Sequence, residues 1–285
     1  MRFCIEMNKK ILVLALALIG VGAFSYQAKA EEGTKGISLE VGADVVSGYL
    51  WRGYNLGGLS IQPSITFGWN GLYLCGWANI GADSWRFEEL SPELDITIGY
   101  DNYGVALDLT HLYYFGGDKY FKGLDNPQNL SASTMELHAG FHLGDLVEKV
   151  PLSIDWYTTM LGYDPIVDSE GNVKRAYSTY IQLGYDIYLP LDIVLGLKVG
   201  FTPWKGMYSD YEDVWTNGRT VGFNNLQLRA EREFELGKLY INVWGEAMFN
   251  CYGVDKNNII LPIGEASNQK LNGCIGVGIY FCDEW

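Results

Sequence analysis

Segments in which apolar residues alternate with small or polar ones recur along this chain, and this period of two constrains the fold more than any other feature. In residues 59–69, LSIQPSITFGW, every second residue is apolar. Asn70-Gly71 follows, a pair that favours a two-residue hairpin turn, and residues 72–80 resume the alternation. The pattern predicts an all-β chain of about twelve strands, each of roughly ten to fourteen residues. The segments are residues 37–45, 59–69, 72–80, 94–100, 105–113, 135–143, 152–160, 177–189, 193–201, 226–234, 239–249 and 275–281.

The connections between these segments alternate in length. Short ones are expected at Asn70-Gly71, at Asp101-Asn102 and at residues 144–150, 190–191 and 235–237. Longer ones are expected at residues 53–58, 83–91, 116–132, 164–176, 205–220 and 251–270. Short turns at one end and longer loops at the other are typical of outer-membrane barrels, and an even strand number brings both termini to the same side. The chain is therefore predicted to form a closed antiparallel up-and-down transmembrane β-barrel.

Charge and aromatic placement indicate which face of each strand looks outward. Charged residues occupy mid-strand positions of the polar faces, which a dry core would not hold without partners. Aromatic residues such as Tyr49, Trp51, Tyr54 and Tyr208 cluster near strand ends, as in the girdles of membrane barrels; ordinary cross-strand packing is the alternative. The apolar faces are therefore expected to contact lipid, and the polar faces to line a lumen.

The residues predicted to line the lumen are mostly acidic, which favours cations over anions. The alternative is that these acids pair with bases of inward-folded loops, namely Lys119, Lys122, Lys174 and Arg175. Arg52 is placed at the outer end of strand one, where it would narrow the mouth or attract anionic solutes; a strand-end cation that binds loop carbonyls or lipopolysaccharide phosphate is the alternative. The lining residues are Glu40, Asp44, Arg52, Glu93, Asp95, Asp108, Glu136, Asp155, Asp186, Lys198, Arg229, Glu231 and Glu246.

The first thirty residues read as a cleaved secretory signal. Lys9 and Lys10 precede an apolar run shorter than a membrane-spanning helix, and Ala28-Lys29-Ala30 resembles a cleavage site. Residues 31–285 would then form the barrel. Removing four basic residues and one acidic residue changes the formal net charge from −14 to −17. Such an acidic chain is a poor candidate for nucleic-acid binding.

Two local features carry smaller expectations. Pro63 lacks a backbone donor inside a predicted strand, so a bulge is expected there. The cysteines beyond the signal, Cys75, Cys251, Cys274 and Cys282, are scattered through strand-like segments and are expected to act as small packing residues. A disulfide between Cys251 and Cys274 is the alternative.

Residues 47–69, SGYLWRGYNLGGLSIQPSITFGW, resemble the first hairpin of a family of small Gram-negative outer-membrane porins often grouped as TorF-like. Tyr49, Trp51 and the Arg52-Gly53 pair match its aromatic strand ending in Arg-Gly, and Gln62-Pro63 matches the start of its next strand. The resemblance implies a barrel in the outer membrane that passes small solutes.

The predicted function is passive diffusion of small hydrophilic solutes, with no chemistry, no metal and no cofactor. Expected partners are outer-membrane lipid, lipopolysaccharide and the barrel-assembly machinery. A plugged barrel that binds surfaces is one alternative. A lipid hydrolase is another, with His111 facing lipid; however, pairing of Phe115 with Ser133 would put His111 opposite Leu137, about 13 Å from the hydroxyl.

Three further features of the sequence are candidate sites. His138 and His142 share the lumen face but stand four residues apart, about 13 Å along a strand, which is too far for both to bind one metal without help. They are expected to be ordinary lumen residues. Residues 116–132 are a candidate inward-folding loop, with exposure at the surface as the alternative. A calcium site at residues 164–172 is disfavoured because its acidic residues do not match the spacing of a calcium loop.

Overall fold

The computed structural model describes residues 36–82, 92–114, 123–129, 133–147, 150–208, 222–251 and 270–284. Twelve strands in the described part of the chain form one closed barrel, which confirms the predicted fold class. They are β1 (Ile37–Val46), β4 (Ser60–Trp69), β5 (Leu72–Gly81), β6 (Glu93–Asn102), β7 (Val105–Tyr114), β8 (Thr134–His142), β9 (Leu152–Leu161), β12 (Thr179–Leu189), β13 (Ile193–Thr202), β14 (Gly222–Leu236), β15 (Leu239–Asn250) and β16 (Leu271–Glu284). Two small hairpins lie outside the barrel sheet: β2 (Tyr49–Trp51) with β3 (Tyr54–Gly57), and β10 (Pro165–Val167) with β11 (Val173–Arg175).

Every neighbouring pair of barrel strands is antiparallel, and the first strand closes the sheet against the last. In that seam Ala43 is opposite Ile279, and Val41 is opposite Phe281. Closure leaves no unpaired edge strand, which is what a sheet needs in order to cross a bilayer. None of the helical turns in the described ranges is long and apolar enough to cross a membrane.

The barrel is apolar outside and polar inside, as the alternation predicts. Ile65, Leu107 and Val243 are 53%, 53% and 43% exposed. The buried residues are largely polar or charged, with Asp155 and Asn225 completely inaccessible to solvent. Successive side chains of a strand point to opposite faces, so one alternating sequence supplies both surfaces.

The short turns share one rim of the barrel, here called the turn rim, and the longer connections share the opposite loop rim. Asn70 and Gly71 have φ of +49° and +87°, as the predicted tight turn requires. The second turn is Tyr103-Gly104, not Asp101-Asn102, because Asp101 and Asn102 still pair with β7. The pairing of β6 with β7 continues to Asn102 and Val105, and the turn forms at Tyr103 and Gly104, which both have positive φ.

Two local expectations are wrong. The register between β4 and β5 is the same before Pro63, with Ile61 opposite Ile80, and after it, with Ser64 opposite Trp77, so no bulge forms. A missing donor removes one ladder bond without requiring an extra residue. The predicted aromatic girdle also fails in part, because Tyr208 is only 1% exposed.

All four described cysteines are free, so the alternative of a disulfide between Cys251 and Cys274 is not formed.

Candidate channel interior

The first loop-rim connection folds into the barrel as the β2–β3 hairpin. Its two-residue turn, Arg52-Gly53, has φ of +45° and +97°, and Trp51 pairs with Tyr54 across it. Two central residues with positive φ match the twist of a tight hairpin, and glycine supplies one of them without strain. The prediction that Arg52 ends strand one is therefore wrong, because β1 ends at Val46 and a separate hairpin follows.

The root of the hairpin is fixed to the end of the barrel seam. The Cys274 thiol donates a hydrogen bond to the Gly48 carbonyl at 3.0 Å. Leu50 packs on the buried cluster of Val46, Trp244 and Cys274. A free, buried cysteine thus acts as a small apolar residue with a weak donor, as expected from the sequence.

The tip of the hairpin carries Arg52 across the interior to the wall. Its Nη2 donates to Glu136 Oε1 of β8 at 2.6 Å, and its Nη1 donates to the other carboxylate oxygen and to the Tyr208 hydroxyl, the latter at 2.6 Å. The guanidinium carbon lies 3.8 Å from the ring centre of Tyr157 on β9. Both Arg52 and Glu136 side chains are 9% exposed. The sequence predicts Arg52 at the outer end of strand one. The buried Arg52 side chain instead joins the first connection to β8 and β9 on the opposite side of the barrel.

Tyrosines from three elements surround this ion pair. Tyr180 on β12 packs against Tyr208 with ring centres 5.5 Å apart and ring planes tilted by 50°, and its hydroxyl donates to Asn225 Oδ1 of β14 at 2.9 Å. Trp51 and Tyr208 have centres 5.7 Å apart. Two parallel hydrogen bonds to a carboxylate fix the position of an arginine guanidinium, and contact with aromatic rings fixes the orientation of its plane. These tyrosines were not predicted as site residues, because only their positions around Arg52 give them a role.

The tip of the hairpin also contacts β14, β15 and the segment that follows β13. The Gly53 amide points to Met248 Sδ at 3.2 Å, and the Tyr54 hydroxyl donates to the Met207 carbonyl at 3.1 Å. A Cβ at Gly53 would lie 3.4 Å from Asn225 Cβ. The hairpin at residues 49–57 therefore spans the interior, a role that the sequence offered only as one alternative for residues 116–132. Residues 115–122 and 130–132 lie outside the described ranges.

A second polar group joins β7, β8 and β9 nearer the turn rim. His138 Nδ1 lies 2.6 Å from Asp108 Oδ2, and its Nε2 lies 3.0 Å from Asp155 Oδ1. His142 Nε2 reaches the same Asp155 oxygen at 3.0 Å. The two histidines therefore share one carboxylate oxygen although their backbones are far apart, because long side chains bridge that separation. Nothing in the strand pattern shows that Asp155 would lie between them.

A third group lies on β14 and β15. Arg229 Nε donates to Glu231 Oε2 at 2.8 Å, its Nη1 is 3.8 Å from Glu246 Oε2, and its guanidinium carbon is 4.3 Å from the Trp244 ring centre. Asn242 also donates to Glu231 at 3.3 Å. These three sets bring together five of the predicted acids with bases of the barrel and its first hairpin.

The other predicted lining residues lie on the same interior face. Glu93, Asp186 and Lys198 are buried, and Asp95 is half-buried. Asp44 accepts a hydrogen bond from the Tyr280 hydroxyl of β16. Glu40 accepts one from the Cys282 thiol at 3.4 Å. The described structure pairs none of these acids with a loop lysine.

The described loop bases named as alternative partners bind other loop residues: Lys174 binds within its own loop, and Arg175 binds its own loop and the Leu124 carbonyl of the preceding connection at 2.9 Å. Lys174 Nζ is 2.6 Å from Asp168 Oδ2, and this hydrogen bond holds the pKa of Asp168 at about 2. Arg175 donates to the Gly162 carbonyl at 2.8 Å. Lys119 and Lys122 lie outside the described ranges. The Asp168 carboxylate, weighed as a calcium ligand, also accepts the Glu170 and Asn172 amides at 2.9 Å.

The pair required for a lipid hydrolase is not formed in the described part of the chain. His111 is opposite Met135 rather than Leu137, so the register predicted for β7 and β8 is wrong by two residues. Ser133 Oγ is buried and has no hydrogen-bond partner there, and His111 is 5% exposed rather than open to lipid. A nucleophilic serine needs a hydrogen-bonded base.

No family model matches the chain, and no curated protein matches it. Among solved structures, the NanC porin matches with a TM-score of 0.46 at 10% identity, over 85% of this chain and 98% of that chain. An outer membrane channel from Pseudomonas putida F1 matches with a TM-score of 0.43 at 14% identity, over 91% and 100%. The KdgM porin matches with a TM-score of 0.39 at 10% identity, over 86% and 98%. The TorF-like resemblance stays a prediction.

Proposed function

We propose that the protein is an outer-membrane channel through which small hydrophilic solutes diffuse passively. The observation that carries this proposal is the charged interior enclosed by an exposed apolar wall. Eight strands enclose only enough space for their own side chains, and diameter grows with strand number. A barrel of twelve strands is wider and holds the β2–β3 hairpin, and we propose that a narrow path remains beside that hairpin. The turn rim would face the periplasm.

The hairpin would set the width and charge of the narrowest part of this path. Arg52 and Glu136 project into the interior from opposite sides and neutralise one another. Acids without a basic partner in the described structure, such as Asp44, Asp95 and Glu93, would leave the path negative. We therefore propose cation preference as the finer property of the channel.

Removal of the Arg52 side chain tests the constriction. Arg52→Ala opens space beside Tyr157 and leaves Glu136 unpaired, so single-channel conductance in planar bilayers should rise by about twofold or more, with stronger cation preference. Arg232→Ala is the matched control, because Arg232 lies at the turn rim beside Asp192 and away from the hairpin. Equal conductance in both variants would contradict the assigned constriction.

Reversal potentials in a salt gradient test the charge preference. A path lined by unpaired carboxylates should give a potential of the sign expected for cations, and the preference should weaken at high salt as the charges are screened. Anion selectivity in the wild-type protein would contradict the proposal. A wild-type barrel that passes neither ions nor sugars would support the plugged-barrel alternative instead.

A further inference from the structure

Three potential metal ligands meet at the turn rim, away from the hairpin. Asp101 lies near the end of β6, His142 ends β8, and Asp145 belongs to the 3₁₀ turn Leu143–Asp145. One ligand atom from each lies within 4.8 Å of the other two. One imidazole nitrogen and two carboxylate oxygens suit a divalent transition metal such as zinc better than calcium, which takes oxygen ligands only.

The orientation of His142 is the first observation that points to a ligand. Its Nε2 is hydrogen-bonded to Asp155 Oδ1 at 3.0 Å, and Asp155 is completely buried. This bond assigns the proton to Nε2 and leaves the lone pair of Nδ1 on the side of Asp145. Metal-binding histidines commonly have their second nitrogen fixed by a carboxylate in this way. Ser153 donates to the other Asp155 oxygen at 3.3 Å and helps to hold it.

The carboxylate of Asp101 is the second observation. Its Oδ1 is out of contact with solvent and has no hydrogen-bond partner in the described structure. A carboxylate oxygen buried without a partner is costly, and a bound cation would remove that cost. Asp145 Oδ2 is 3.9 Å from His142 Nδ1, which is too long for a hydrogen bond. A proton on Nδ1 therefore makes no hydrogen bond to Asp145, and Asp101 Oδ1 stays without a partner in the described structure.

We propose that Asp101, His142 and Asp145 bind one divalent transition-metal ion at the turn rim, with Asp155 as the positioning residue for His142. Tetrahedral zinc places its ligand atoms roughly 3.3 Å apart, so the three side chains draw together on binding. The exposed Asp145 side chain, on a surface turn, supplies most of this movement. Water would complete the coordination. The ion would join β6, β8 and the turn after β8, and it is independent of solute passage.

Zinc titration of the tag-free, detergent-folded protein tests this site. Isothermal titration calorimetry should show one saturable Zn²⁺ site per chain. Asp145→Asn should weaken binding at least about tenfold, because an amide replaces a charged ligand on a surface turn that tolerates the change. Asp155→Asn should weaken it about 10- to 100-fold through the orientation of His142. Asp192→Asn, in another turn at the same rim, is the matched control and should bind zinc like the wild type.

Two outcomes would overturn the site. One is the absence of saturable zinc binding to the wild-type protein. The other is equal zinc affinity in the wild type and in Asp145→Asn, which would place the bound ion elsewhere, for example on a cysteine. A chelator should also lower the thermal midpoint of the zinc-loaded wild type while leaving Asp145→Asn unchanged. The assay does not involve solute flux, so it fails or succeeds separately from the channel proposal.

Discussion

At the scale of single residues, the interior is organised by charged groups that share partners. Asp155 receives hydrogen bonds from two histidines and a serine, although these residues are spread over two strands. Both nitrogens of His138 face carboxylates, so only its doubly protonated ring can donate to both. Such a network is strong when complete and costly when broken. The stability of the network therefore depends on the room around its side chains as well as on their charge.

Gly140 provides that space, which makes it a test of the network. A Cβ at Gly140 would lie 2.8 Å from Asp155 Oδ1 and 3.0 Å from His142 Nε2. Gly140→Ala should therefore lower the free energy of unfolding by about 1–3 kcal/mol, measured by urea denaturation in detergent or lipid vesicles. Gly76→Ala is the control, because its Cβ would meet only Ile65 Cγ2 at 3.7 Å. Equal losses in the two variants would show that the network tolerates the added methyl group.

At the scale of elements, the β2–β3 hairpin is the feature that distinguishes this barrel from an empty one. Its root is bonded to β16 through Cys274, and its tip to β8 through Arg52. Sequence alternation places strands but not the path of a connection between them. Arg52-Gly53 between aromatic residues is compatible with a tight turn. Whether such a turn points into the lumen depends on Glu136, Tyr157 and Tyr208, which are distant in the chain.

Shortening this hairpin tests its role as an element. Replacing residues 49–57 by a short Gly-Ser linker should preserve the barrel, because β1 pairs with β4 and β16 and these contacts are unchanged. Conductance and the size limit for sugars in liposome-swelling assays should both increase. A folded variant with unaltered flux would mean that the hairpin does not lie on the solute path.

At the scale of the whole molecule, the sequence predicts the fold well and the site only in part. The period of two fixes the strands and their outward faces, because burial of one face imposes the register. The twelve strands and the all-antiparallel order follow from it. The set around Arg52 does not, because it requires knowledge of which strands face the first connection across the interior. The sets around His138 and Arg229 join neighbouring strands and depend on the exact register and on side-chain reach, which the pattern does not give. Curvature and closure determine that arrangement.

The orientation of the wall makes a prediction for the whole barrel in a bilayer. Ile65 lies midway along β4 and is 53% exposed, so Ile65→Arg would place a charge among acyl chains. The free energy of folding into lipid vesicles should become less favourable by about 2–4 kcal/mol. Leu191→Arg in a turn at the rim, where Leu191 is 71% exposed, should cost at most about 1 kcal/mol. Equal costs would indicate that the apolar wall is not embedded in lipid.

The attachment of the first hairpin to distant strands has a consequence for biogenesis. Arg52 docks on Glu136, Tyr157 and Tyr208, which are all synthesised later than Arg52. The root of the hairpin adjoins the seam between β1 and β16, which is the last strand pair to form. The hairpin can therefore dock only after most of the barrel strands have paired. We expect seam closure and hairpin docking to occur as one cooperative event. A chain whose hairpin does not dock would then also close its barrel slowly.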